Sequence, residues 1–397
     1  MLDSPTPRAL IRCLLSVLLL RTVTLGLAQS QVSGAWTYHL SQTGEATITA
    51  YAGAGGIVQI PAALDGYPVK ALGAFCLSPT LGDGNPKVTG VIFPASLISI
   101  QKWAFAGCSS LTSVTIPENV TSVGGWAFAD CTALTEINVQ PGNSAYRSFG
   151  GVLFSKSLDN IVAYPAGNKG SYVIPEGVTN ITEGAFRSCA GLTSVTIPEG
   201  VVKLTEEAFY DCTGLTKVVL PDSVASIERS FAGCLNLTNV TFGNGVSSIG
   251  EGAFYACVKL ASVTFPSSVV SLGPGVFESC TSLKNVYFVG NAPSIEARIF
   301  TGNVRSGLVY YLPGTSGWWT NFGGWPTQPL SPASGAAGFE NGAFRLNWSN
   351  TGSVLLNVRR ATSLAGPWTV VSTNNTTGQF VDPNPPSGQA FYQAYLP

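Results

Sequence analysis

His39 is the only histidine in the 397 residues. A hydrolase that works near neutral pH through a His base needs that ring beside a nucleophile and an orienting acid. His39 stands in Trp36-Thr-Tyr-His-Leu40, and its surroundings do not supply that set. No catalytic residue is therefore expected, and the chain reads as a non-enzyme.

Cysteines are the next reactive group. Setting aside Cys13 in the apolar N-terminal run leaves eight. An even number in an exported chain would normally signal disulfides. The spacing argues otherwise. Cys108, Cys131, Cys189, Cys212, Cys234, Cys257 and Cys280 each fall three residues after a Phe. One Cys per period in one register reads as a column of small, weakly polar side chains, buried as free thiols. Cys76 stands one residue after Phe75, off that register. No second ligand accompanies each Cys, so no metal and no cofactor are expected.

Carboxylates form two partial rows. Glu118, Glu176, Glu199 and Asp222 follow Pro residues, and Glu183, Glu206 and Glu251 precede a small residue and a Phe, with Glu228 nearby. Stacked carboxylates could attract Ca²⁺. The Asp/Asn/Gly spacing of a calcium loop is missing, so these read as solvated turn residues.

What positions all these groups is an internal repeat, which decides the architecture before any local reading. Residues 178–198 recur in frame at 97–117, 201–221 and 269–289. Strand-ending residues Ile174, Ile197, Leu220, Phe242, Phe265 and Phe288 follow one another at 22 or 23 residues. The column Phe105, Phe128, Phe186, Phe209, Phe231, Phe254, Phe277, Phe300 keeps the same beat. In Leu192-Thr-Ser-Val-Thr-Ile197, Val195 and Ile197 alternate with Ser194 and Thr196, the period of a strand with one face buried. Pro198 lacks an N–H and ends the ladder. One coil cannot bury enough apolar surface to fold alone, and stacking lets neighbours share it.

The frame Leu-x-x-Val-x-Ile-Pro … Val-x-x-Ile-x-x-x-Ala-Phe-x-x-Cys-x-x-Leu resembles the BspA-like leucine-rich repeats of bacterial surface proteins, over about residues 57–312. The resemblance implies a mainly β fold: a right-handed leucine-rich-repeat solenoid with a parallel sheet on one face. It also implies attachment or adhesion at the cell surface.

The domain reading follows. Residues 1–28 carry Arg8 and Arg12, the apolar run Cys13–Leu20 and small residues Gly26 and Ala28, as a secretory signal peptide does. Residues 29–56 read as an N-terminal cap and 57–312 as the solenoid. The step from Val139 to Ile174 is 35 residues, and a β-hairpin insertion is expected at 141–172. Residues 313–337 are the C-terminal cap and linker. Five alternating runs in 338–397 suggest a small antiparallel β-sandwich-like module, similar to terminal β modules of secreted bacterial proteins.

Charged residues make up only 10% of the chain, the net charge is −1, and no Lys/Arg run is present. Nucleic acid is therefore a poor partner. No transmembrane span is expected in the mature chain, which should be secreted or held at the cell surface, and monomeric. The outward strand positions form the candidate binding face: Ser113, Thr115, Glu136, Asn138, Ser194, Thr196, Lys217, Asn239, Thr241, Ser262, Thr264, Asn285 and Tyr287. This is a broad, polar, nearly uncharged surface for an extracellular protein or glycan. Trp103 and Trp126 share one column and are candidate aromatic anchors if exposed. A purely structural matrix protein and a polysaccharide-associated hydrolase accessory are the alternatives.

Overall fold

The computed structural model describes residues 30–77, 85, 87–296, 298–303 and 307–330, and six strands between 338 and 395. The leader read at 1–28, most of the loop after Cys76 and the linker at 331–337 lie outside the described residues. Among the described residues there is no α-helix. The chain is a parallel β-solenoid in which each coil of about 23 residues contributes to two ladders.

The first coils show the plan. Strands β1 (Gln31–Ser33), β2 (Trp36–Leu40) and β3 (Ala46–Tyr51) form the antiparallel cap. β4 (Gly56–Gln59) opens the main ladder, and β5 (Ala63–Leu64) turns the chain into β6 (Tyr67–Leu72). β6 lies in the second ladder between β3 and the two-residue strand Ser99–Ile100. β7 (Val88–Ile92) then returns to the main ladder beside β4.

Later coils repeat this in register. Ser194, Lys217 and Asn239 align in the main ladder, as do Ser262, Asn285 and Leu308. Val195, Val218 and Val240 point inward and are buried, because strand alternation sends every second residue to the core. Thr hydroxyls at the strand entrances bond back one coil: Thr112 to the Thr89 carbonyl, Thr135 to Thr112, Thr216 to Thr193 and Thr238 to Thr216.

The Phe column stacks ring on ring, from 4.7 Å between Phe186 and Phe209 to 6.0 Å between Phe277 and Phe300. It also takes in Tyr164, which stacks on Phe186 at 4.9 Å, and Trp325, which closes the column on Phe300 at 4.0 Å. Each turn around this column needs two left-handed residues. Trp103, Trp126, Gly184, Glu207, Arg229, Gly252 and Gly275, two before the Phe, have φ between 41° and 65°. Asp130, Ser188, Asp211, Ala256 and Ser279, two after it, have φ between 55° and 62°. Non-Gly residues there cost about 1–2 kcal/mol each, which the stacked neighbours must offset.

The Cys column is buried and free of disulfides among the described cysteines. Its thiols donate back one coil: Cys131 to the Phe105 carbonyl, Cys212 to Phe186, Cys234 to Phe209, Cys257 to Phe231 and Cys280 to Phe254, at 3.0–3.3 Å. Cys76 donates to the Ala104 carbonyl at 3.6 Å instead. Its neighbour Phe75 stacks on Trp103, so Phe75 belongs to the Trp column rather than the Phe column.

Between the second and third regular coils, strands Tyr146–Phe149 and Val152–Ser155 pair antiparallel. Val152–Ser155 pairs on to Asn160–Ala163, which joins the second ladder beside Asn180–Ile181. These strands form a wall inside the stack. Leu153, Val162 and Ala163 pack into the core of the preceding coils, and Val152, Phe154 and Ile161 into the core of the following ones. Asn143 launches the wall. It is fully buried, donates to the carbonyls of Pro117 and Val120, and accepts from the N–H groups of Ala145 and Tyr146.

The C-terminal strands form two antiparallel sheets of three. One holds Gly338–Glu340, Ala343–Asn347 and Gln379–Asp382; the other holds Thr369–Asn375, Leu356–Ala361 and Phe391–Tyr395.

Candidate functional site

The main ladder sets the candidate face in two parallel columns, one coil spacing (about 4.8 Å) apart per residue. Ser113, Thr115, Glu136, Thr196, Lys217, Asn239 and Thr241 are exposed. Asn138, Ser194, Ser262, Thr264 and Asn285 are half-buried. Tyr287 is the exception and corrects the sequence reading. It is only 2% exposed, because its ring stacks on Tyr310 at 5.0 Å and Val289, Leu312 and Leu330 pack around the pair. Burial, and then Tyr310, push its phenol above the usual range. The polar face thus ends one coil earlier than the repeat suggests.

Sequence reasoning missed part of the face. Gly170–Val173 pairs with Leu192–Thr196 and places Ser171 and Val173 in the two columns. Val173 is 67% exposed, and Val219, beside Thr196, is 45% exposed. The irregular 35-residue step hid that strand. Only its alternation, Ser-Tyr-Val-Ile before Pro175, signals it.

Trp103 and Trp126 come together but are not free anchors. Their rings stack at 5.0 Å and 4°, continuing from Phe75, and Trp126 is 9% exposed. A side chain at position 184 would strike the Trp126 ring, so Gly184 makes room for it in addition to supplying φ +65°. Lys102 sits over the Trp126 ring at 5.0 Å and pairs with Glu183 at 2.7 Å. The stack fills the space between coils instead of presenting a surface.

Beside this stack lies a charged cluster that no motif announced. Arg187 bonds Asp130 and Glu207, and lies 4.2 Å over the Tyr210 ring and 5.5 Å from Trp103. The Ser188 hydroxyl also donates to Asp130. Burial opposes the guanidinium's charge, but Asp130, Glu207 and Tyr210 together more than offset it and raise its pKa. Asp211 is pushed up to about 6, by burial first and then by Asp130 and Glu207, with Arg187 opposing. Burial and the neighbouring Glu207 and Glu183 raise Glu206 too.

The acidic row after the Pro residues has a structural use. Glu199 accepts from the N–H groups of Asp222 and Ser223 one coil on, and Asp222 accepts from that of Asn244. The carboxylates bind the next turn's backbone. Among the described residues, no group of three or more His, Cys, Asp or Glu side chains converges as a metal site. His39 pairs with Thr47 across β2 and β3 and is half-buried.

A family model for the BspA type leucine rich repeat region matches in six copies, over residues 83–166, 163–230 and 207–308. No curated protein matches. Among solved structures, a leucine rich cell surface protein of Faecalibacterium prausnitzii is 24% identical, with 66% of this chain and 95% of that one covered and a TM-score of 0.49. A leucine-rich repeat protein of Eubacterium ventriosum is 20% identical, covering 69% and 94%, with a TM-score of 0.44. The leucine rich repeat protein of T. pallidum is 25% identical, covering 69% and 89%, with a TM-score of 0.25.

Proposed function

This chain belongs to the BspA-type leucine-rich repeat family, and from that premise we propose that it is a non-enzymatic binding protein, exported and acting outside the cell. The observation that carries the reading is the main-ladder face. From Ser113 to Thr264 it holds two in-register columns of Ser, Thr, Asn and Val, with Glu136 and Lys217 as its charges at the candidate positions. A nearly uncharged surface of this kind suits a neutral partner, held by hydrogen bonds and methyl contacts rather than by ion pairing. Such a partner is an extracellular protein or a neutral glycan.

The test is an array of matrix proteins and neutral and acidic glycans probed with the full chain. A saturable hit weakened at least tenfold by Thr196→Lys/Thr241→Lys supports the reading. Binding indifferent to those changes, or confined to acidic glycans, places the activity on another surface. Silence across the array, together with self-assembly into sheets or fibres, favours a structural matrix role.

A further inference from the structure

The main ladder has one open end and one closed end. At its start β4 pairs with β7, and among the described residues no strand lies on its other side. The cap does not cover that edge, because β3 continues the second ladder through β6. At the far end, Trp325–Pro329 pairs antiparallel with Asn321–Phe322, and Trp325 seals the Phe column.

Backbone polarity at the open edge follows from alternation. The Gly56 N–H donates to the Lys87 carbonyl and the Ile60 N–H to the Ile92 carbonyl, so alternate residues from 56 face β7. The N–H and C=O groups of Ile57 and Gln59 therefore point away from β7, to the open side. Edge strands are usually guarded by Lys, Pro or a bulge. β4 reads Gly-Ile-Val-Gln, with no charge. Ile57 is 71% exposed, and Ile92, on the same face of the neighbouring strand, is 54% exposed.

We propose that β4 pairs antiparallel with β4 of a second copy of this chain, Ile57 opposite Gln59, about a two-fold axis. That register makes four backbone hydrogen bonds from the groups now facing outward. It meets no like charges, and it brings the Ile57 and Ile92 side chains of both copies together on one face. The two main ladders become one continuous sheet with both polar faces on the same side. A head-to-tail stack would need a matching edge at the far end, which is closed, so assembly stops at two. The proposal goes beyond the binding role above and replaces the monomer expected from the sequence.

One four-residue contact is small for a tight dimer, so sedimentation velocity of the full chain is read from about 10 µM to about 1 mM. The mass should double across that range. Ile57→Lys/Gln59→Lys sets like charges opposite each other twice and should hold the chain monomeric throughout. Ile57→Lys/Gln59→Glu sets opposite charges at the same pairs and should restore the dimer. Both positions are exposed, so the fold is not at risk. Val32→Lys on β1, another exposed edge of the cap, should change nothing. A wild-type monomer at 1 mM, growth past two copies, or a dimer indifferent to the Lys pair would each overturn the proposal. So would capture of an unrelated extended peptide by a chain that never pairs with itself.

Discussion

Arg187 donates through Nε to both carboxylate oxygens of Asp130, at 3.2 and 3.3 Å, across 57 residues of chain. Asp130 and Ser188 stand at the same place in successive turns, two residues after Phe128 and Phe186. The inserted wall separates those turns in the core, yet on this side they meet directly, with the Trp126 N–H donating to the Glu183 carbonyl at 3.0 Å. The ion pair therefore clamps the solenoid around its own insertion.

Removing the clamp should be costly. Arg187→Met keeps the stem against Tyr210 but leaves Asp130, Glu207 and Asp211 together without their cation. Partly buried carboxylates left unpaired cost on the order of 2 kcal/mol here, below the full penalty because Asp130 is 32% exposed. The denaturant midpoint should fall with the slope unchanged. An unchanged midpoint would show that the pair contributes nothing net.

Asp211 should give the opposite sign, with a pH dependence. Burial, then Asp130 and Glu207, raise its folded pKa to about 6 from 3.8. A carboxyl with a raised folded pKa stabilises the fold below about pH 4, and that contribution is lost as pH rises through about 6. Asp211→Asn removes the strained charge, and Asn tolerates the left-handed φ of +55°. Its Tm should exceed the wild type by about 2 °C near pH 8, the gap closing towards pH 4. A gap that widens at low pH would reverse the assignment.

The periodic residues were legible because each column repeats one physical demand. Phe186, Cys189, Val195 and Ile197 could be placed from spacing alone, and so could the outward Ser194 and Thr196. Three things resisted. Tyr164 and Trp325 fill Phe positions where the period is broken or ended, so no count reaches them. Tyr287 keeps the outward phase of the strand, but the chain's exit at Leu330 covers it. The Asp130–Arg187 pair depends on how the inserted strands fold inside the stack, which 57 intervening residues do not disclose.

The thiol column should be silent until the chain opens. Burial comes first in pushing Cys131, Cys189, Cys234 and Cys257 well above the ordinary thiol range, and none of the eight described cysteines is exposed. Thiolate is the reacting species, so alkylation of the folded chain should proceed only at the rate of unfolding. Cys257→Ala removes a sulfur packed against the Phe231 carbonyl and should cost about 1–2 kcal/mol. Rapid labelling of any of these thiols under native conditions would contradict the column as described.

Asn143 offers the sharpest test of the inserted wall. Its amide nitrogen satisfies two carbonyls of the preceding turn, and its oxygen takes two N–H groups of the turn that starts the wall. The Lys156 ammonium bonds its backbone carbonyl at 2.7 Å and ties the second wall strand to the same residue. Asn143→Asp keeps the acceptor and the shape but sets a buried carboxylate against the Pro117 and Val120 carbonyls. Asn143→Ala leaves all four backbone groups without this partner. Each change should cost about 3 kcal/mol. Asp should recover stability as pH falls, because a protonated carboxyl regains one donor, whereas Ala should not. Hydrogen exchange should locate the loss: amides of residues 146–163 should lose protection first in both variants. Equal loss along the whole solenoid would mean that the wall and the coils unfold as one unit and that Asn143 serves the stack rather than the insertion.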